Sequence, residues 1–250
     1  MTVAACAELV QRGDPDRFLA VMAAPPETRA QLLPLYAFNL EVARAPWVTQ
    51  EPLIAEMRLQ WWRDVVENAA SGAAKAHEVA GPLHGLIRDF GLPVDVLDRL
   101  ITARRWDIHR DPHEGPQALG EYLEDTGAGL MWLAARALGA PDGAEAAVRA
   151  YGWATAAAGY LRAVPALEAR GRQPLPEGFG AQDLARQGLD RLAEARAARK
   201  AVPKAIAPAL LAGWQAEWLL RQVFAGRSSP ELSEAQRRWR LIWQAFTGRW

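Results

Sequence analysis

The fold class follows from one stretch of the chain, Leu35-Tyr36-Ala37-Phe38-Asn39-Leu40-Glu41-Val42. Together with Leu32 upstream, its large apolar residues recur at the spacing of a helix, and the predicted helix runs from about residue 27 to residue 45. Pro34 is expected to kink this helix and Pro46 to end it, because proline has no N–H to donate. The stretch therefore predicts a helical element with a large apolar surface.

Helical patterns continue on both sides of this stretch, and the strict alternation typical of β-strands does not occur. Asp14-Pro15 resembles an N-cap followed by proline at the first helical position. Further long helices are predicted over residues 93–109, 117–138 and 142–170, and Gly171–Gly180 is the clearest loop. We therefore expect a single all-α domain over residues 1–250, built as a bundle of about nine or ten helices.

The composition excludes several classes of protein. The 29 Lys and Arg residues balance the 29 Asp and Glu residues, so the basic excess expected of a nucleic-acid-binding protein is missing. Cys6 is the single cysteine, which excludes an internal disulfide framework. It lies near a chain end that is expected to fray, with no obvious base beside it, so a nucleophilic role is not expected. Neither a secretory signal nor a membrane-spanning run is visible, so a cytoplasmic location is expected.

Two sets of side chains have the chemistry of metal ligands. Aspartate or histidine stands at every second position of one segment, namely Asp107, His109, Asp111 and His113. Alternate residues share a face only in an extended strand, so a polar helix end broken by a proline is the preferred interpretation. Glu121 and Asp125 are four residues apart and can face the same way on a helix, where they either hold magnesium or form a solvated surface.

Three stretches together resemble a known family. They are the stretch at residues 35–42, Leu59-Gln60-Trp61-Trp62-Arg63-Asp64, and Leu161-Arg162-Ala163-Val164 followed by Gly171-Arg172-Gln173-Pro174-Leu175-Pro176. In this order they resemble the signatures of the squalene/phytoene synthases, the head-to-head prenyl synthases, from about Arg17 to Val223. The resemblance implies the all-α bundle of the isoprenoid synthase fold.

The residues that carry the chemistry of that family are absent. In its active members, two aspartate-rich pairs on facing helices hold magnesium against the substrate diphosphate, whose departure leaves an allylic cation. The first carboxylate positions fall here on Ala43, Arg44 and Trp47, and the second pair falls on Ala163 and Leu167. We therefore expect no catalytic residue, no metal site and no cofactor, with magnesium retained only if the chemistry has changed.

Within the family, the chain resembles a branch of assembly factors of respiratory complex I that lacks the aspartate pairs. This implies a catalytically inactive scaffold with protein partners among the complex subunits, and peripheral contact with the inner membrane. The alternative is a binder of prenyl diphosphate or isoprenoid lipid, or a prenyltransferase of altered chemistry. The residual phosphate and cavity positions that the resemblance implies are Tyr36, Arg44, Trp47, Arg162 and Arg172.

The C-terminal segment carries a further apolar pattern. Trp239, Trp243 and Phe246 fall on one helical face. We expect this face to pack against the rest of the domain. If it were exposed, it would be a site for a protein partner or a membrane interface, where tryptophan and arginine are favoured.

Overall fold

The computed structural model describes residues 3–69, 72–109, 111–227 and 232–250. These residues form α-helices and short turns of tighter or wider helix, without a β-strand, which confirms the predicted all-α class. The helices are α1 (Val3–Gly13), α2 (Pro15–Ala23), α3 (Arg29–Arg44), α4 (Pro52–Asn68), α5 (Ala80–Phe90), α6 (Val94–Ala103), α7 (Pro116–Leu123), α8 (Gly129–Ala137), α9 (Glu145–Glu168), α10 (Ala181–Ala197), α11 (Ala207–Leu210), α12 (Ala216–Phe224) and α13 (Glu234–Thr247).

Helix α3 lies in the centre of the molecule. Every residue from Leu32 to Leu40 is buried, so the helix is covered on all sides, as expected for an apolar helix inside a bundle. Pro34 lies within the helix and does not end it. The Phe38 ring meets the Trp62 ring of α4 edge to face at 5.4 Å. The stretch that predicts the fold class thus forms the centre of the main apolar core, which extends from Cys6 to Trp250.

Helix α9 is the longest helix, and glycine lets it approach its neighbour closely. A Cβ atom at Gly152 would lie 2.8 Å from the Cα atom of Ala128, and one at Gly127 would lie 2.2 Å from the Cβ atom of Ala156. Both distances are shorter than side chains tolerate, so only glycine fits at these crossings. The close approach fixes α9 against the segment before α8, and the cavity described below opens beside this contact.

Two predicted helices are divided in the structure. The helix predicted over residues 93–109 ends at Ala103, and a tight 3-10 turn follows at Arg104–Asp107. The helix predicted over residues 117–138 is α7, then a π-helical turn at Glu124–Ala128, then α8. A π-turn inserts one residue into the helical repeat and thereby redirects the side chains that follow it, and such turns are frequent at functional sites.

Two expectations about the chain ends were wrong. Cys6 does not lie at a frayed end, because it faces the core from α1 with none of its surface exposed, and burial raises the pKa of its thiol to about 11. On α13, the aromatic face does not pack against the domain, since Trp239, Trp243 and Phe246 are 65%, 51% and 89% exposed. Within the described residues, every helix is too short or too polar to span a membrane.

Candidate functional site

A cavity of about 430 Å³ opens between α3, α9 and the π-turn. Helix α3 lines one wall with Tyr36, Asn39 and Ala43, which stand three and four residues apart and therefore share a face. Trp47, in the 3-10 turn after α3, continues this wall at the mouth, where it is 36% exposed. Trp47 borders the cavity and leaves it open.

The second wall is a long stripe of α9. Its residues are mostly small, and they recur at helical spacing over five turns: Gly152, Thr155, Ala156, Gly159, Tyr160, Ala163, Ala166, Leu167 and, just beyond the helix, Arg170. Small side chains on this stripe leave the volume that large ones would fill. The π-turn and α8 add Thr126, Leu130 and Met131 opposite. The wall formed by α9 is thus largely apolar, and most polar side chains of the lining come from the other elements.

A buried ionic network forms part of the cavity lining. The Tyr122 hydroxyl donates to Asp107 Oδ2 at 2.9 Å, and Arg104 Nη1 lies 3.4 Å from the same oxygen and 2.6 Å from the Tyr122 hydroxyl. The Asp107 and Arg104 side chains are 7% and 17% exposed. Burial raises the pKa of Asp107, and it raises the pKa of the Tyr122 phenol far above its ordinary value, while Arg104 opposes both shifts.

The Gly171–Pro176 loop holds this network in place. Arg172 donates through Nη1 to the Asp107 carbonyl at 3.0 Å and through Nη2 to the Trp106 carbonyl at 3.1 Å. Its guanidinium lies over the Trp106 ring, 4.7 Å from the centroid, with the Trp47 ring at 5.7 Å. The Tyr160 hydroxyl donates to the Pro174 carbonyl at 2.7 Å. Arg172, predicted as a phosphate ligand, therefore uses both terminal nitrogens on the backbone.

The other predicted arginines lie away from the cavity lining. Arg44 has 59% of its side chain exposed and lies 3.8 Å from Glu41 on its own helix. Arg162 pairs with Asp16 of α2 at 2.8 Å. Of the five predicted site residues, the structure brings Tyr36 and Trp47 to the cavity. It brings Arg172 to an adjoining pocket that shares Trp47, Asp107 and Arg170 with the cavity. Burial raises the pKa of Tyr36 to about 12, and the Arg17 guanidinium lies 5.0 Å from its ring centroid.

The four alternating candidates for metal ligands are not brought together. Asp107 and His113 are buried, while His109 is exposed beside Glu56 and Asp111 faces solvent. Glu121 accepts from Gln117, and Asp125 lies 3.7 Å from Arg99. Within the part of the chain that the structure describes, no three potential ligands cluster.

The cavity does not fit the magnesium ions of active prenyl synthases. Among its lining residues, Asp107 is the single carboxylate, and Tyr122 and Arg104 already occupy it. Arg17, Arg104 and Arg170 line the same space, and their positive charge would repel a divalent cation. The predicted carboxylate positions Ala43, Trp47, Ala163 and Leu167 do line the cavity, but with side chains that cannot bind a metal.

Several polar residues of the cavity were missed by sequence reasoning. Asn39 is 6% exposed and its Oδ1 atom has no hydrogen-bond partner, although its spacing from Tyr36 and Ala43 already places it on the same face. Arg170 stands at helical spacing from Leu167 and lies over the Trp47 ring at 5.0 Å. No spacing in the sequence indicated Arg104, because the direction of its side chain depends on the 3-10 turn that follows α6.

We expect His113 to make the protein less stable in acid. Its ring stacks on Trp106 at 3.9 Å, it is 6% exposed, and Tyr122, Tyr160 and Arg172 are its other neighbours. Burial, followed by the charge of Arg172, lowers its pKa from 6.5 to about 4. The unfolded chain therefore binds a proton at higher pH than the folded chain does, so this contribution is complete above about pH 6.5 and is lost toward pH 4.

The free energy of unfolding, measured in urea, should lose about 2 kcal/mol between pH 7 and pH 5 through His113 alone. His113→Phe should remove this part of the pH dependence, and His109→Gln, on the exposed part of the same segment, should keep it. An unchanged pH dependence in His113→Phe would contradict the assignment.

The sequence and the fold of this chain are similar to those of known proteins. Residues 10–207 match the family model described as "Squalene/phytoene synthase". The chain belongs to the squalene/phytoene synthase family. Solved structures agree in fold: a dehydrosqualene synthase in complex with ligand superposes with a TM-score of 0.81 at 14% identity, over 99% of this chain and 97% of that one. The squalene synthase HpnC from Alicyclobacillus acidocaldarius gives 0.76 at 20% identity, over 92% and 95%.

Other relatives of this chain are named as assembly factors and not as synthases. The protein from Bos taurus named "NADH dehydrogenase (ubiquinone) complex I, assembly factor 6" is 30% identical over 193 residues, which are 74% of this chain and 58% of the bovine protein. The Homo sapiens protein of the same name is 26% identical over 241 residues, 87% of this chain and 72% of the human one. The chain thus spans somewhat more than half the length of the bovine relative.

Proposed function

We propose that this protein is a catalytically inactive member of its family that assists assembly of a respiratory complex of the complex I type. The observation that carries the proposal is the cavity lining. Four of the five positions that correspond to metal-binding carboxylates line the cavity with alanine, leucine and tryptophan side chains, the fifth is Arg44, and three other arginines line the same space. The names of the bovine and human relatives support the assembly role.

The electrostatics of the cavity support the absence of synthase chemistry. Diphosphate departure from an allylic carbon requires positive charge that neutralises the leaving group, and two bridging metal ions supply it in metal-dependent transfer. Arginines can bind a phosphate directly. However, Arg104 is committed to Asp107, and Arg17 lies 2.9 Å from Asp14, so only Arg170 among these three has no ion pair within the described residues. The remaining charge is insufficient for ionisation of the substrate.

Incubation with farnesyl or geranylgeranyl diphosphate and magnesium should therefore release no diphosphate above a heat-denatured sample. The measurement is a diphosphate assay together with chromatography of extracted lipids. An active dehydrosqualene synthase, assayed in parallel, shows that the substrate and metal are competent. Release of diphosphate by the native protein alone would refute catalytic inactivity. The assembly role is tested separately, by deletion of the gene and measurement of assembled complex I.

A second candidate function is supported by the open volume of the cavity. About 430 Å³ lies within the range of small-molecule sites, and the apolar wall of α9 ends at the Arg170 guanidinium. The unpartnered Oδ1 atom of Asn39 offers an acceptor inside. An isoprenoid lipid with a polar head fits this pattern. Retention of a radiolabelled isoprenoid lipid, and its loss when Ala163 is replaced by tryptophan to fill the cavity, would support this candidate.

A further inference from the structure

Helix α13 presents an apolar face away from the molecule. Trp239, Ile242, Trp243 and Phe246 are 65%, 59%, 51% and 89% exposed, and they stand at helical spacing on one side. The opposite side holds the helix to the domain. There Leu241 and Gln244 are buried, and Gln244 donates to the Leu210 carbonyl at 3.1 Å. The helix is therefore firmly seated while its most apolar side chains face outward, which is costly unless something covers them.

A groove of about 400 Å³ lies beside this face, between α10, α12 and the end of α13. Its walls are rich in two residue types, tryptophan (Trp214, Trp218, Trp243 and Trp250) and arginine (Arg196, Arg199, Arg240 and Arg249). Trp243 belongs both to the groove and to the exposed apolar face. The two surfaces are thus continuous, and a single partner can contact both.

The groove carries a surplus of positive charge. Glu217 is the one acidic residue in its lining, and Arg196 and Arg221 bind it at 2.6 and 2.8 Å, which lowers its pKa to about 2. Arg240 and Arg249 make no ion pair with any described residue, and both are exposed. Two guanidinium groups therefore remain available for an anion, and guanidinium binds phosphate oxygens in a bidentate manner.

From this juxtaposition we propose that the α13 face is a docking surface for an anionic phospholipid membrane. A bilayer presents phosphate groups directly above an apolar layer, and here the free arginines border the protruding Trp239, Trp243 and Phe246 in the same arrangement. An amphipathic helix with aromatic residues on one face and basic residues at its edge lies in the interface plane. This inference is independent of the proposed function, since binding of membranes requires neither complex I nor a cavity ligand.

Sedimentation with lipid vesicles tests the proposal on the full chain. The protein should sediment with vesicles of equal parts phosphatidylglycerol and phosphatidylcholine, and much less with phosphatidylcholine alone. Trp239→Ala combined with Phe246→Ala should reduce the bound fraction. Arg240→Glu combined with Arg249→Glu should weaken binding to the anionic vesicles by about tenfold or more, and should make the remaining binding less dependent on salt.

Matched controls separate this surface from general stickiness. Leu53→Ala combined with Met57→Ala removes two exposed apolar side chains of α4, and Arg186→Glu reverses an exposed charge of α10. Both controls should bind like the unaltered protein, and circular dichroism should show that all variants are folded. The proposal is overturned if folded protein fails to bind the anionic vesicles, or if the α13 variants bind as well as the controls. The proposal would also be overturned if a soluble protein bound to the α13 face and the protein did not bind vesicles.

Discussion

Replacement of Arg104 by methionine is expected to lower the free energy of unfolding by about 3–5 kcal/mol. The guanidinium lies against Asp107 Oδ2 and the Tyr122 hydroxyl, and all three side chains have little exposed surface. Methionine replaces the aliphatic part of the arginine side chain but carries no charge and no hydrogen-bond donor. The variant leaves the Asp107 carboxylate buried with the Tyr122 hydroxyl as its one remaining side-chain hydrogen-bond donor among the described residues. Either that charge stays desolvated or the carboxylate takes up a proton, and both outcomes destabilise the fold at neutral pH.

The neighbouring arginine provides a matched control. Arg105 follows Arg104 in the same turn, pairs with Glu56 at 3.0 Å and has 43% of its side chain exposed. Because exposed ion pairs contribute little, Arg105→Met should cost about 1 kcal/mol or less. The double variant Arg104→Met with Asp107→Leu should regain part of the loss, since it removes the uncompensated charge. Urea denaturation of the four proteins measures these values, and equal destabilisation by the two single variants would contradict the buried network.

Deletion of the gene is expected to remove most of the assembled complex I from the membranes of its organism. An assembly factor acts before the mature enzyme exists, so its loss affects the amount of complex and not the activity per complex. Native gels stained for NADH dehydrogenase activity measure the amount, and another respiratory complex in the same membranes is the internal control. A normal amount of complex I in the deletion strain would remove the main support for the proposed function.

Complementation with cavity variants separates the two candidate functions. Ala163 lines the cavity, whereas Ala169 lies beyond the end of α9, is exposed and does not line it. If the protein acts as a scaffold, the deletion strain should recover complex I equally with Ala163→Trp and with Ala169→Trp. Recovery with Ala169→Trp alone would mean that a ligand in the cavity is needed, and the second candidate would then replace the first.

The fold class and the apolar half of the site could be predicted from the sequence. Tyr36 and Trp47 were placed at the cavity by the resemblance to the family, and the lost carboxylate positions all line the cavity wall except Arg44. The spacing of motif residues along a helix is a local property that the sequence expresses directly. The same reasoning could not show that Trp47 leaves the cavity open, because that depends on where the following turn directs its ring.

The polar part of the site could not be predicted, because its residues are brought together by tertiary structure and not by their spacing in the sequence. Asp107 was considered as a metal ligand among alternating residues, yet its partners Arg104 and Tyr122 are brought to it by a 3-10 turn and by a different helix. The outward face of α13 was missed for a related reason. Periodicity shows that Trp239, Trp243 and Phe246 share a face, but tertiary packing decides which side of the helix meets the domain.

The hydrogen bonds that hold the loop at Gly171–Pro176 do not depend on the identity of the residues that accept them. Arg172 binds the carbonyl oxygens of Trp106 and Asp107, and Tyr160 binds that of Pro174, so the fastening points are all main-chain atoms. Every amino acid offers the same carbonyl oxygen. A substitution of Asp107 can therefore alter the chemistry of the cavity without removing these hydrogen bonds, and this independence is one physical route by which a scaffold can persist after its site has changed.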